Sequence, residues 1–285
     1  MAARRIAFIC LFTAVGLAQQ SQNPSPMVEH TRTHPRIEKT QPPGRTEKLA
    51  VGTLFIPARL QHRKRLPLFV HFHGEEWLPE VAAAREGHCA VIAVQSGSGS
   101  GAYARQFAGG KLFAQILQEA SAKTGITFQD IVLTAWSAGH GAIREILENP
   151  QEYAKIRGVL LIDGFHTGYE DGKPGPLESN LERDHLDIFL KFARDAVAGR
   201  KKMIITHSEI FPGTFASTTE TADWLISQLK LHRRSMLRWG PMRTQQLSEV
   251  HKGKFLLMGF AGNTAPDHVD EFHSLPTFLR MLRRM

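Results

Sequence analysis

From residue 49 onward the chain alternates between two patterns. Short, nearly continuous apolar runs occupy 49–56, 66–72, 90–95, 130–135, 158–162, 203–206 and 255–259. Between them lie stretches with apolar positions three and four apart, at 80–86, 111–123, 139–147, 181–198, 219–231 and 269–284. A run of four to eight apolar residues without alternation fits a strand buried on both faces, and the longer periodic stretches fit amphipathic helices. The order is βαβα throughout, with 49–56 expected as an antiparallel strand leading into the sheet. The fold class that follows is α/β: a doubly wound, mostly parallel sheet flanked by helices in three layers, αβα. In such a sheet the ligand site lies beyond the carboxyl ends of the strands.

Outside that region the pattern changes twice. Residues 1–18 begin Met-Ala-Ala-Arg-Arg, continue through an apolar run of about 13 residues and end in small residues at Gly16 and Ala18. This predicts a secretory signal peptide cleaved after Ala18, since the run is shorter than the roughly 20 residues that span a bilayer. The protein is therefore expected to be exported, periplasmic or secreted, with no stable membrane anchor after processing. Residues 19–46 are rich in Gln, Pro, Ser and Thr and lack apolar periodicity, which predicts a disordered linker or arm. Residues 47–285 then read as one catalytic-size domain.

Composition narrows the classes further. The 42% hydrophobic and 22% charged content is ordinary for a globular protein. The formal charge of +8 is spread along the chain, and its densest run, His62 to Arg65, falls between two expected strands. A solvated turn accounts for it, and no nucleic-acid partner is expected. The two cysteines, Cys10 and Cys89, build no disulfide framework, because Cys10 lies in the segment expected to be removed.

Polar residues gather where the expected strands end. His73-Gly74-Glu75 follows the second run, Trp136-Ser137-Ala138-Gly139 the fourth, Asp163 the fifth, His207-Ser208-Glu209 the sixth, and Asp267-His268 lies in the loop after the seventh. A strand passing directly into a helix at Ser137 requires a tight turn with small residues two positions either side, and Ala135 and Gly139 meet that need. At the apex a serine is a candidate nucleophile, and the backbone N–H of Ala138, at the positive end of the next helix, is a candidate oxyanion donor. The bland alternative is a serine that only caps the helix.

Ala135-Trp-Ser-Ala-Gly139, His71-Phe-His-Gly74 and the late Asp267-His268 resemble motifs of the α/β-hydrolase superfamily of serine esterases, lipases and peptidases. The resemblance covers most of 47–285 in element order. It implies a nucleophile, an acid and a base in the chain order Ser, Asp or Glu, His, and an oxyanion loop after the His-Gly pair in which Glu75 supplies a backbone N–H. Two glutamates beside an oxyanion site, Glu75 and Glu76, depart from the usual pattern. Of the fourteen histidines, His268 has the position of the base, with His273 next; His140 is expected to support the nucleophile helix. The acid is Asp163, with Glu209 as the alternative. Asp163 is preferred because a carboxylate directly after an apolar strand needs a charged or hydrogen-bonding partner to offset its desolvation.

The expected activity is hydrolysis of a carboxylic ester, less readily an amide or peptide, through an acyl-enzyme on Ser137. Its partner would be a small or polymeric ester substrate; no cofactor and no metal are required, and the oligomeric state is left open. The segment 164–180 and the turn 211–215 are expected to frame the entrance. Two other classes compete: a metal-dependent hydrolase built on His71 and His73 with Asp163, His166 or His207, and a non-catalytic binding module on a hydrolase scaffold.

Overall fold

The computed structural model describes residues 33–174 and 180–285. The segment expected as signal peptide, residues 19–32 of the expected linker, and residues 175–179 of the segment expected to frame the entrance lie outside the described residues. Ten strands of the described residues form one sheet: β1 (Gly44–Lys48), β2 (Thr53–Pro57), β3 (Arg65–Phe72), β4 (Ala90–Val94), β5 (Thr127–Trp136), β6 (Ile156–Ile162), β7 (Lys202–His207), β8 (Arg234–Trp239), β9 (Gln245–Lys252) and β10 (Phe255–Phe260), in the order β1-β2-β4-β3-β5-β6-β7-β10-β9-β8. The six central strands from β4 to β10 pair in parallel, and both edges are antiparallel. Burial follows this division. All five residues of β4 and nearly all of β6 and β7 are buried, whereas β1 alternates and β8 is almost wholly exposed.

Among the described residues nine α-helices cover the two faces: α1 (Trp77–Glu86), α2 (Ser100–Phe107), α3 (Lys111–Thr124), α4 (His140–Glu148), α5 (Pro150–Lys155), α6 (Asp184–Val197), α7 (Thr218–Leu229), α8 (Ala265–His273) and α9 (Leu275–Arg284). One core packs α2 to α7 against the sheet through Tyr103, Phe113, Ile143, Phe189 and Leu225. The other packs α1, α8 and α9 through Leu78, Phe272, Leu275 and Phe278. The result is the expected three-layer arrangement, with the strand order of an α/β-hydrolase fold. Among the described residues no helix is long and apolar enough to cross a membrane.

The differences from the sequence reading fall where apolar periodicity is weak. The run 49–56 holds the turn of a β1–β2 hairpin and most of the expected antiparallel strand β2, because Gly52 (φ 82°) turns the chain and Leu49 N–H bonds Gly52 O at 3.0 Å. β1 itself is polar and begins inside the stretch read as linker. Residues 33–43 of that stretch also lie against the domain: Ile37 is buried, its N–H donates to His273 Nδ1 at 3.0 Å, and Arg36 and His34 both reach Asp270. β8, at the sheet edge, and β9 beside it are polar, and α2 is a short helix in a glycine- and serine-rich segment; none of them carries the burial pattern that reveals an element in sequence. The expected helix 269–284 is two helices, α8 and α9, with Ser274 at the junction bonding back to Asp270 O.

Candidate active site

β5 ends at Trp136 and α4 begins at His140, so three residues carry the turn between them. Ser137 sits at its apex with φ 49°, in the left-handed region that side chains other than glycine disfavour. Such strain costs of order 1–3 kcal/mol and persists only where the surroundings over-determine it. Two glycines do so here. A Cβ at Gly139 would lie 2.2 Å from the Phe72 carbonyl oxygen, and one at Gly164 would lie 2.6 Å from Ser137 O and 2.7 Å from Ser137 N. Gly139 was expected from the turn motif. Gly164 belongs to the next strand end, and only the folded sheet brings it under the elbow.

The helix side supports the same bend. His140 Nδ1 donates to Ser137 O at 3.0 Å. Burial pushes the His140 imidazole down to about 3, reinforced by the neighbouring His166, so the ring is a neutral hydrogen-bonding group. The ring thus braces the bend at Ser137 from the side of α4.

Asp163 follows β6 and is itself strained, at φ 39°. Its carboxylate is buried and collects four donors: Ser208 N at 2.9 Å, Ser208 Oγ at 2.8 Å, Thr218 Oγ1 at 2.7 Å and His268 Nδ1 at 2.6 Å. Burial alone would raise this carboxyl, but the hydrogen bond and charge of His268, with the bonds from Thr218 and Ser208, hold it well below the usual carboxylate range. The buried carboxylate thus has the hydrogen-bonding partners that its desolvation requires. Ser208 and Thr218 were not foreseen; the signal for Ser208 was its position at the end of β7.

His268, on α8, is clamped from a second side. Trp136 Nε1 donates to the His268 backbone oxygen at 3.0 Å, and the two rings lie 4.6 Å apart between centroids. Trp136 also stacks on Phe272 at 4.9 Å and on His73 at 5.3 Å. Because Trp136 precedes Ser137 and Gly164 follows Asp163, the elbow, the carboxylate and the imidazole form one contiguous group. The start of α8, which carries His268, is fixed by a capping box in which Thr264 Oγ1 accepts from the Asp267 N–H at 3.2 Å and Asp267 Oδ2 accepts from the Thr264 N–H at 3.1 Å.

The remaining candidates fall elsewhere. Glu209 is exposed, with its N–H on Gly262 O at 2.9 Å. The alternative acid is thus corrected: β7 ends at His207, Ser208 turns in to Asp163, and Glu209 is carried one residue further out. His273 faces Ile37 and Trp77 on the far side of α8. His71 is buried with both nitrogens engaged, Nδ1 with Thr134 Oγ1 and Nε2 with the His73 carbonyl, each at 2.8 Å. His73 stacks on Trp136 and bonds Tyr103, while His207 Nε2 meets Arg233. The metal reading of His71 and His73 therefore lacks a shared donor set. Among the described residues the one group of three donors with metal-like proximity is His34, Asp267 and Asp270, and there Arg36 Nε occupies Asp270 Oδ1 at 2.9 Å.

The loop after β3 is a second strained strand end, with His73 at φ 74° and Gly74 at φ 103°. Gly74 N–H donates to Gln95 Oε1 at 3.1 Å. The Glu75 carboxylate is exposed and bonds Trp77 Nε1 and Lys39 Nζ, which turn it outward and lower its pKa in that order. That disposes of the electrostatic objection raised by a glutamate at this position. Ser137 and Ala138 line a cleft of about 450 Å³ together with His140, Arg144, His166 and Phe215. A separate cavity of about 290 Å³, walled by Leu68, Val132 and Leu279, touches none of these groups and plays no part in the site.

The strand order with a strained elbow between β5 and α4 defines the α/β-hydrolase fold. No protein-family model and no curated protein matches the sequence. Solved structures similar to the chain include an esterase of Pyrobaculum calidifontis, at 12% identity over 85% of both chains with a TM-score of 0.48. A fungal esterase from Rhizomucor miehei matches at 12% identity over 85% of this chain and 84% of the other, TM-score 0.47. Carboxyl esterase 2 of Tuber melanosporum matches at 13% identity over 88% and 89%, TM-score 0.44. With scores below 0.5, the fold rests on this chain's own strand order and elbow.

Proposed function

We propose that the chain is an exported serine hydrolase that cleaves a carboxylic ester, and an amide or peptide less readily, through an acyl-enzyme on Ser137. The observation that carries the reading is the His268 imidazole, held between the Asp163 carboxylate at 2.6 Å and Trp136 beside the strained serine. A buried carboxylate on Nδ1 keeps the proton there and leaves Nε2 as the basic nitrogen. His268 then removes the Ser137 hydroxyl proton as Oγ bonds the ester carbon. The negative charge that develops on the carbonyl oxygen is met by the backbone N–H groups of Ala138 and Glu75. Collapse breaks the bond to the leaving oxygen, which takes the proton from His268, and water attacks the acyl-enzyme by the same route in reverse roles. Esters are favoured because an alkoxide-type leaving group asks less of the acid step than an amine. Export rests on the basic, apolar and small-residue succession of residues 1–18.

The test is labelling of the purified protein with a fluorophosphonate probe, with Ser137→Ala as control, followed by turnover of p-nitrophenyl esters. A labelled peptide containing Ser137 and activity lost in the variant are expected. An unlabelled wild type, or a Ser137→Ala variant that still hydrolyses the esters, overturns the reading.

A further inference from the structure

The cleft beside Ser137 has an unusual lining for an esterase that takes fatty acyl groups. Among the described residues its apolar side chains are Ala138 and Phe215. The rest of the wall is polar: Ser98 before α2 and Ser100 at its start, His140 and Arg144 on α4, His166 and Thr167 after β6, and Glu182 and His185 before and on α6. Burying a methylene is worth about 0.8 kcal/mol only against apolar surface, and this wall offers little.

The polar groups are balanced and mixed in kind. His140 Nδ1 carries the proton it donates to Ser137 O, and burial keeps the ring neutral, so its Nε2 is an acceptor. His166 Nδ1 likewise donates to Ala216 O at 3.0 Å, and burial lowers its pKa too. Its ring lies 5.8 Å from that of His140 and meets the edge or face of Phe215 at 5.1 Å. Arg144, whose guanidinium also holds Glu145 at 2.9 Å, contributes donors; Glu182, 3.4 Å from His185, contributes a carboxylate. One cation and one carboxylate in the same wall give no preference for a charged ligand. Acceptors, donors, hydroxyls and a single half-exposed aromatic ring match a neutral group that is hydroxylated on its rim and has C–H faces.

We propose, resting on the serine hydrolase reading above, that this cleft binds a polyhydroxylated ring and that the substrate is an ester of a sugar or sugar-like polyol. A site lined to hydrogen-bond hydroxyls rejects an analogue without them, because its buried polar groups are then left unpaired. Discrimination of about 100-fold or more is within the range such sites reach.

The experiment compares kcat/KM for methyl 6-O-acetylglucoside with that for cyclohexylmethyl acetate, which has the same acyl group and a similar ring without hydroxyls. The wild type should favour the glycoside by about 100-fold, and Glu182→Gln and Phe215→Ala should each cut that ratio about tenfold; both side chains are solvent-accessible, so neither change threatens the core. Equal turnover of the two acetates by a protein whose Ser137 is labelled by the fluorophosphonate sinks the polyol assignment and leaves the hydrolase standing. A preference that survives unchanged in both variants removes the cleft as its source. A protein that neither labels nor turns over either acetate fails the hydrolase reading itself.

Discussion

Asp163 is the most constrained side chain of the site: buried, at a positive φ, and surrounded by four donors from three elements. Its charge fixes the His268 tautomer, so Asp163→Asn should leave the fold intact and lower kcat by about 10⁴-fold, read in steady-state ester hydrolysis. A second buried acid lies close behind. Glu271 on α8 accepts from Thr206 Oγ1, which itself receives the Asp163 N–H at 3.1 Å. Burial, then the nearby Asp163 charge, raises the Glu271 pKa well above the carboxylate range, so the folded protein keeps this group protonated. The unfolded chain releases that proton above about pH 4.5, so the contribution of Glu271 is present at low pH and lost as pH rises. Glu271→Gln keeps a neutral acceptor without that proton uptake. Its stability relative to wild type should therefore increase from pH 5 to pH 8 in urea unfolding; a constant difference would contradict the protonated assignment.

At the scale of elements, the site is made where three neighbouring strands stop. β3, β5 and β6 end in residues with positive φ, at His73, Ser137 and Asp163. Gly164 packs one of these ends on another: the Cβ of Gly164→Ala would meet Ser137 backbone, which cannot rotate away as a side chain can. A displacement of the nucleophile by about 1 Å costs on the order of 100-fold in rate, and kcat/KM of this variant should fall by that order. The start of α7 supplies the Thr218 hydroxyl to Asp163, and its geometry depends on the capping box between Ser217 and Glu220. Ser217→Ala should destabilise the protein by about 1 kcal/mol, measured by thermal unfolding. In sequence, the elbow was legible because a strand, a serine between small residues and a helix follow one another locally. Gly164, Thr218 and Ser208 were not, since each acts across a strand boundary on a residue 27 to 55 positions away.

For the whole molecule, acid is the informative perturbation. Burial lowers His71 and His140 to about 3 and His207 to about 4, and it also lowers His73, His166 and His273. An unfolded histidine takes up its proton near pH 6.5. Between that pH and the folded values the unfolded chain binds protons that the native state refuses, so this stability is fully present above about 6.5 and falls as pH drops. Asp163 adds in the same direction at still lower pH, and Glu271 opposes. Three deeply buried imidazoles outweigh one glutamic acid, and a net loss of several kcal/mol is expected between pH 7 and 4.5. A Tm that stays level over that interval would mean these rings are not buried neutral.

The amino-acid order alone determined the layer architecture, the parallel centre of the sheet and the turn at Ser137, because burial on both faces of a strand and the steric needs of a sharp turn are local properties written in consecutive residues. It also narrowed the acid to two strand ends and favoured Asp163 on the desolvation of a carboxylate that directly follows an apolar strand. Only the tertiary structure brings the α8 imidazole to that carboxylate, since the distance from Asp163 to His268 is set by the parallel pairing of β6, β7 and β10 rather than by any neighbour in sequence. The polar edge strands, the docked segment 33–43 and the hydroxylated cleft wall belong to the same class: their residues carry no periodic signal, and they acquire partners only when distant parts of the chain are brought together.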